Sequence, residues 1–188
     1  MNQGYLFIFS APSGAGKTSI VKALLSKLPW LSFSVSATTR SPRINEKHGE
    51  DYYFLNQEDF ESKIRSGEFA EWEEVYPGRY YGTLKSEIER IFKVGNSPII
   101  DIDVLGGLNI KREYGAKALS IFVSAPDLDT LAKRLSARGT ETADDRQRRI
   151  QKAMQEMEFS KDFDQIIINE FLEEAIDEAE KLLINFVK

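Results

Sequence analysis

The sequence predicts an α/β fold in which helices cover a mostly parallel β-sheet. Short apolar runs alternate with longer segments whose apolar residues recur at helical spacing, and this alternation is typical of such a sheet. The first apolar run leads directly into a glycine-rich turn and then a helical segment. With 188 residues, 41% of them hydrophobic, the chain is long enough for one well-buried core. We therefore expect one domain over residues 1–188, with smaller lobes inserted in it.

The core elements follow from runs bounded by turn or charged residues. Strands are predicted at residues 5–10, 98–103, 118–124 and 165–169. The helix after the glycine-rich turn has apolar residues at 20, 21, 24, 25 and 28 and is stopped by Pro29. Further helices with an apolar stripe are predicted near residues 84–93, 127–138, 143–159 and 173–186.

Two stretches interrupt the core pattern. Residues 32–83 contain short β-branched and aromatic pieces around one helix, for which Asn56 is the expected cap and Gly67 the expected end. We interpret this stretch as an inserted α+β lobe. The polar run 138–142 separates two helices without an apolar anchor, which indicates a mobile lid over residues 138–159. The predicted core is then residues 1–31, 84–137 and 160–188.

Composition excludes several functional classes. The net charge of −5 and the pI of about 5.1 disfavour long-range attraction to nucleic acid or anionic membranes. The absence of cysteine excludes disulfides and thiolate chemistry. The apolar N-terminal stretch is too short for a bilayer and lacks signal-peptide features. We expect a cytoplasmic protein, monomeric or homodimeric, with no nucleic-acid or membrane partner.

The strongest motif is a P-loop at residues 11–18, APSGAGKT, placed between strand and helix as the motif requires. Its backbone N–H groups and the helix N-terminus are suited to phosphate oxygens. Lys17 is expected to reach the β- and γ-phosphates, and the Thr18 hydroxyl to ligate Mg²⁺. Ala11 replaces the usual first glycine, which is harmless unless that position needs a positive φ. A simple tight turn is the alternative that the register of these elements disfavours.

Two carboxylates lie at the end of the predicted strand 98–103. Asp101 is the expected partner of Mg²⁺, through water. Asp103 is suited either to cap a helix that begins near Val104 or to bind a ligand, and a strand-end aspartate often does both.

Arginines cluster in two further places. If the acceptor of a phosphoryl group is a nucleoside monophosphate, two anions must meet, and this requires local cations. Arg40 and Arg43, near Tyr52 and Tyr81, are suited to that task, with a solvated basic turn as the alternative. A second group beside the lid is suited to the transferring phosphoryl group, with ordinary exposed helix charges as the alternative. That group consists of Arg134, Arg138 and Arg149.

Taken together, these residues resemble the guanylate kinase family along nearly the whole chain. The matching motifs, in family order, are APSGAGKTS, SVSATTRSPR, HGEDYYF, FAEW, YYGT, DIDVLGG, RLSARGTET and IIIN. The resemblance implies a P-loop three-layer core with a GMP-binding lobe and a lid. It implies the in-line transfer of phosphoryl from Mg-ATP to GMP, and to dGMP, during closure of the lobes.

The resemblance also assigns roles to residues. Glu71 is the expected specificity residue, because a carboxylate accepts from both N1–H and the N2 amine of guanine, a donor pair that adenine lacks. The implied GMP-binding set is Ser36, Arg40, Arg43, Glu46, Tyr52, Glu71, Tyr81, Thr83 and Asp103. The implied catalytic set is Lys17, Arg40, Arg134, Arg138 and Arg149. The implied ATP-binding set is Ala11, Pro12, Ser13, Gly14, Ala15, Gly16, Lys17, Thr18, Ser19 and Asn169, and Thr18 and Asp101 are the implied metal residues.

Several alternatives remain at this point. Glu71 is a solvated strand carboxylate in the plainer interpretation, and Asn169 a turn residue at a strand end. Leu105 stands where the family often has glutamine, which puts a polar role there in doubt. The rival functions are a non-enzymatic binding module, a kinase for another monophosphate and a regulatory nucleotide hydrolase. His48, the one histidine, is expected to be a surface residue.

Overall fold

Nine strands form two β-sheets in the described part of the chain. The structure is a computed structural model that describes residues 4–136 and 143–188; for residues 136 and 143–146 it describes the backbone only. The strands are β1 (Leu6–Ser10), β2 (Leu31–Phe33), β3 (Ala37–Thr38), β4 (Tyr53–Phe54), β5 (Phe69–Tyr76), β6 (Arg79–Leu84), β7 (Ser97–Asp101), β8 (Ala118–Ser124) and β9 (Gln165–Ile168). The first sheet has five parallel strands in the order β2-β7-β1-β8-β9, and the second has four in the order β4-β3-β6-β5.

Seven α-helices are described. They are α1 (Lys17–Lys27), α2 (Gln57–Arg65), α3 (Lys85–Lys93), α4 (Val104–Tyr114), α5 (Leu128–Ser136), α6 (Ala143–Glu158) and α7 (Leu172–Phe186). Short 3₁₀ turns at Gly115–Lys117 and Phe159–Asp162 follow α4 and α6. In the described part of the chain, no helix has both the length and the apolarity needed to cross a bilayer.

Helices cover both faces of the five-stranded sheet because its central strands are apolar on both sides. Every residue of β1 and β8 is buried. Phe7 and Phe9 of β1 face a cluster to which α1 and α7 contribute. Leu6 and Ile8 face the opposite layer, to which α3 and α4 contribute Ile88 and Ile110. The predicted α/β fold class with a parallel core sheet is confirmed.

The four-stranded sheet forms the inserted lobe. The β5–β6 hairpin turns at Gly78, whose φ of 73° suits glycine. Phe60 of α2 stacks on Phe69 of β5 with 4.3 Å between ring centroids. The Asn56 side chain accepts a hydrogen bond of 2.7 Å from the Asp59 N–H, which is the expected helix cap. The lobe therefore has a small core of its own beside the main sheet.

A buried carboxylate attaches this lobe to the core. Glu87 of α3 is 2% exposed and accepts hydrogen bonds from the Tyr53 hydroxyl (2.9 Å) and the Val35 N–H (3.3 Å). Arg90 donates to it through Nε and Nη2, at 2.8 and 2.9 Å. The Glu87 side chain thus joins α3 of the core to Tyr53 in the lobe and to Val35 in the segment that leads into the lobe.

The structure differs from the sequence prediction at two places. β2 pairs with β7 in the core sheet, so the predicted boundary between residues 31 and 32 falls inside a core strand. The strand predicted at 98–103 ends at Asp101, because Asp103 already caps α4. The predicted lid segment 138–142 lies outside the described residues.

Candidate active site

The phosphate loop joins β1 to α1 through two glycines in the left-handed region. Gly14 and Gly16 have φ values of 92° and 95°. A Cβ on Gly16 would overlap the Asn169 amide, and one on Gly14 would lie 3.1 Å from Leu135. No described non-glycine residue has a positive φ. Alanine at position 11 therefore causes no backbone strain, as the sequence led us to expect.

This loop borders an open cavity of about 350 Å³, which we call the phosphate-loop cavity. It is lined by Ala11, Pro12, Ser13, Gly14, Gly16, Lys17, Thr18, Ser19, Asp101, Asp103 and Glu156. Two predicted ATP-binding residues lie behind it. Ala15 is fully buried, and the Asn169 side-chain N–H donates a hydrogen bond of 2.7 Å to the Ala15 carbonyl. Asn169 thus holds the loop from behind.

A cation, a hydroxyl and a carboxylate meet at the floor of this cavity. The Lys17 ammonium lies 2.8 Å from Oδ1 of Asp101 and also donates to the Ile102 carbonyl. The Thr18 hydroxyl donates to Oδ2 of Asp101 at 2.9 Å. Asp101 reaches this position because β7 pairs in parallel with β1 and both end here.

The same residues suit a magnesium ion that arrives with a nucleotide. No group of three or more His, Cys, Asp or Glu side chains in residues 4–136 and 143–188 is arranged to hold a metal, so those residues form no all-protein metal cage. Mg²⁺ usually takes one or two carboxylates and fills its remaining positions with water and substrate phosphates. Thr18 and Asp101 supply such a partial set.

Asp103 caps a helix and borders two cavities at once. Its Oδ1 accepts a hydrogen bond of 3.0 Å from the Gly106 N–H at the start of α4. Its carbonyl accepts from the Ser10 hydroxyl at 2.9 Å. Asp103 also lines two neighbouring cavities. The capping interpretation is therefore confirmed without removing Asp103 from the site.

A second cavity, of about 200 Å³, lies between the inserted lobe and the core, and we call it the lobe cavity. It is lined by Ser36, Tyr52, Glu71, Glu73, Val75, Tyr81, Gly82, Asp101, Ile102, Asp103 and Lys152. It shares Asp101 and Asp103 with the phosphate-loop cavity. The two cavities therefore meet at the carboxyl end of β7.

Glu71 is a buried acid on the wall of the lobe cavity. It is 8% exposed, and burial raises its pKa to about 7, with smaller contributions from the negative charges of Asp103 and Glu73. The Thr83 hydroxyl opposes this shift by donating a hydrogen bond of 2.8 Å to Oε1. Thr83 is 1% exposed and lies behind Glu71. Of the predicted base contacts, Ser36 and Glu71 line the cavity and Thr83 supports one of them.

The predicted phosphate-binding side chains are arranged around an ion pair. Arg40 donates to both carboxylate oxygens of Glu46, at 2.7 and 2.9 Å. These hydrogen bonds lower the pKa of Glu46 to about 2 and raise that of Arg40. The Arg40 guanidinium lies 5.2 Å from the centroid of the Tyr52 ring. The Arg43 side chain is exposed, and its backbone N–H donates to Glu46. Glu46 thus binds both the Arg40 side chain and the backbone of the turn at Arg43.

Two of the predicted lid arginines, Arg134 and Arg149, are not assembled at the phosphate loop. Arg134 donates a hydrogen bond of 3.2 Å to the Glu170 carbonyl. Neither Arg134 nor Arg149 is among the described residues that line the phosphate-loop cavity, and Arg138 lies outside the described residues. α6 contributes Lys152 and Glu156 to the cavities instead. Sequence reasoning missed both, although their spacing of four places them on one helical face with Arg149.

Comparison with known proteins supplies the family. The sequence model of the guanylate kinase family matches residues 3–185. The chain is 48% identical over 184 residues to guanylate kinase of Bacteroides thetaiotaomicron, covering 98% of this chain and 90% of the relative. It is 47% identical over 182 residues to guanylate kinase of Bacteroides fragilis, covering 97% and 89%. The crystal structure of guanylate kinase from Anaplasma phagocytophilum superposes with a TM-score of 0.77 at 28% identity, covering 100% of this chain and 88% of that one. The chain therefore belongs to the guanylate kinase family.

Proposed function

We propose that this protein transfers the terminal phosphoryl group of ATP to GMP, forming ADP and GDP, in the cytoplasm. One observation carries the proposal: the phosphate-loop cavity and the lobe cavity meet at Asp101 and Asp103. A donor phosphate in the first cavity and an acceptor in the second would face each other at that junction. Transfer between two bound nucleotides depends mainly on such positioning.

ATP is the ligand for the phosphate-loop cavity. The loop N–H groups and the α1 N-terminus suit its β- and γ-phosphates, and Lys17 supplies a positive charge beside them. Thr18 and Asp101 would hold Mg²⁺, which neutralises phosphate charge when bound. The Lys17–Asp101 pair at 2.8 Å keeps the cation in place before the nucleotide enters.

GMP is the ligand for the lobe cavity. Glu71 is suited to accept hydrogen bonds from N1–H and the N2 amine of guanine, and the Ser36 hydroxyl to contact the same base. Tyr52 and Tyr81, whose ring centroids lie 6.1 Å apart, would bind the phosphate together with Arg40 and Arg43. Each arginine supplies donors that match phosphate oxygens. The base is then read at one end of the cavity and the phosphate presented at the other.

The phosphate oxygen of GMP attacks the γ-phosphorus of ATP in line, and ADP leaves without a covalent enzyme intermediate. Arg134, Arg138 and Arg149 would complete the site when the lid closes, stabilising the transferring group and excluding water. dGMP is a second acceptor under this proposal, because the base and phosphate contacts do not involve the 2′-hydroxyl.

A coupled assay of ADP release tests the proposal. Mg-ATP is supplied with GMP, dGMP, AMP, CMP, UMP or dTMP in parallel, using the wild type, Lys17→Ala and the control Lys22→Ala, which alters an exposed residue of the same helix. We expect turnover with GMP and dGMP that Lys17→Ala abolishes and Lys22→Ala leaves intact. GMP binding without turnover by the wild type would contradict the proposal and favour a binding module.

A further inference from the structure

One face of α6 is directed at the two cavities. The adjacent face packs against the core through Ala153, which is 1% exposed, and through the half-buried Ile150 and Met157. Lys152 and Glu156, four residues apart, line cavities instead. Side chains at this spacing lie on the same side of a helix. The packing of α6 therefore places Lys152 beside the lobe cavity.

Among the described residues that line the lobe cavity, Lys152 is the one that carries a positive charge. The same lining contains four carboxylates, those of Glu71, Glu73, Asp101 and Asp103. A nucleoside monophosphate adds further negative charge to this wall. Arg40 lies beside Tyr52 at the edge of the cavity and is engaged by Glu46. The positive charge of Lys152 would therefore offset the negative charge of the acceptor nucleotide and of the carboxylates around it.

The present partner of Lys152 does not fix its position. Its ammonium lies 3.8 Å from Oε1 of Glu156 on the next helical turn, and its side chain is 72% exposed. The Glu156 side chain is 17% exposed, but because the ammonium end of the pair is exposed, the pair contributes little and is screened by salt. A lysine ammonium on a flexible four-carbon stem can turn from such a partner to a phosphate.

We propose that Lys152 is a further binding residue for the acceptor nucleotide, contacting the phosphate of GMP from α6. The contact lies across the cavity from Tyr52 and Tyr81, so the phosphate is held from both the lobe and α6. This inference rests on the proposed function, because it assigns GMP to the lobe cavity. It also gives the acceptor a direct part in drawing α6 toward the lobe.

The test compares Lys152→Met, which keeps the length of the stem and removes the charge, with Lys152→Arg, which keeps the charge. Lys161→Met, an exposed lysine just beyond α6, is the control. We expect Lys152→Met to raise KM for GMP by about fivefold, the upper end of the range for an exposed charge contact. KM for ATP and the melting temperature should stay unchanged, and Lys152→Arg should restore KM for GMP to within about twofold of the wild type.

Two further readouts separate binding from structure. Calorimetric titration with GMP, without ATP, should show the same loss of affinity in Lys152→Met. KM for GMP should also depend less on ionic strength in that variant, because one screened charge contact has been removed. An active Lys152→Met enzyme with an unchanged KM for GMP, or with equal rises in both KM values, overturns this inference but leaves the proposed function standing. A wild type that does not phosphorylate GMP overturns both.

Discussion

Asn169 and Ala15, 154 residues apart in the chain, are joined by a hydrogen bond of 2.7 Å from the Asn169 amide to the Ala15 carbonyl. Asn169 follows β9 and is 3% exposed. Its backbone N–H is held by the Ser124 carbonyl at 2.7 Å, so the side chain starts from a fixed point. The edge of the core sheet thereby fixes the loop that binds phosphate.

We expect Asn169→Ala to raise KM for ATP more than KM for GMP. The change leaves the buried Ala15 carbonyl without this donor, which costs about 1–3 kcal/mol in the free energy of unfolding. Chemical denaturation and steady-state kinetics measure the two effects. Asn96→Ala is the control, because it removes a hydrogen bond of 2.8 Å to Ser32 away from the loop. An equal change in both KM values would show that Asn169 only stabilises the fold.

We expect Asp101→Asn to raise the magnesium concentration needed for half-maximal activity by about 10- to 100-fold, the usual cost of altering a residue that orients metal ligands. An amide keeps the shape but loses the charge that pairs with Lys17 and accepts from Thr18. Magnesium titration of both the activity and the binding of ATP measures the change. Glu178→Gln, an exposed acid on α7, is the control. An unchanged magnesium requirement would remove Asp101 from the metal site.

We expect KM for GMP to rise as the pH falls below about 7, because Glu71 accepts from guanine as a carboxylate and its pKa lies at about 7 without ligand. Protonation removes this acceptor. GMP's own phosphate titrates near pH 6, so Glu71→Gln is the comparison that retains only the phosphate contribution. A pH profile of KM that is identical in the two proteins would contradict the assignment of Glu71.

Glu71 should also lower stability at neutral pH. Its pKa is raised in the folded protein above the ordinary value of 4.5, so the folded state binds the proton more tightly and stability falls as the pH rises from about 4.5 to 7. A shift of this size corresponds to about 3 kcal/mol at most. We expect Glu71→Gln to be more stable than the wild type at pH 7.5, and the two to converge near pH 4, in urea denaturation.

The sequence predicted the parts of the site that local pattern determines. The phosphate loop was predictable because strand, glycines, Lys17 and helix follow one another directly. The role of Thr83 as a base contact stays a prediction; its hydrogen bond to Glu71 was not predictable, because it depends on the pairing of Thr83 on β6 with Glu71 on β5. Lys152 and Glu156 were missed because ordinary helix charges gain meaning only when α6 packs beside the cavities. β2 was missed because three residues are too few to show a period.

The last prediction concerns the Glu87 contacts that join the lobe to the core. Glu87 is buried, and although burial alone would raise its pKa, the hydrogen bonds from Arg90, Tyr53 and Val35 outweigh it and lower the pKa. Its carboxylate therefore stabilises the fold above its unfolded pKa of about 4.5, and this contribution is lost as the pH falls further. We expect Glu87→Gln to lower the free energy of unfolding by about 1–3 kcal/mol at pH 7, and by less at pH 3.5.

Tyr53→Phe removes one of these hydrogen bonds and should cost about 1 kcal/mol. Combined with Glu87→Gln, it should add less than that, because both changes break the same contact. Glu89→Gln, whose exposed side chain lies 3.9 Å from Lys93, is the control on the same helix. Urea denaturation at both pH values measures the wild type and all four variants. Full additivity of the two changes would mean that Tyr53 and Glu87 do not act together, and that the lobe is held to the core by its backbone crossings and apolar contacts instead.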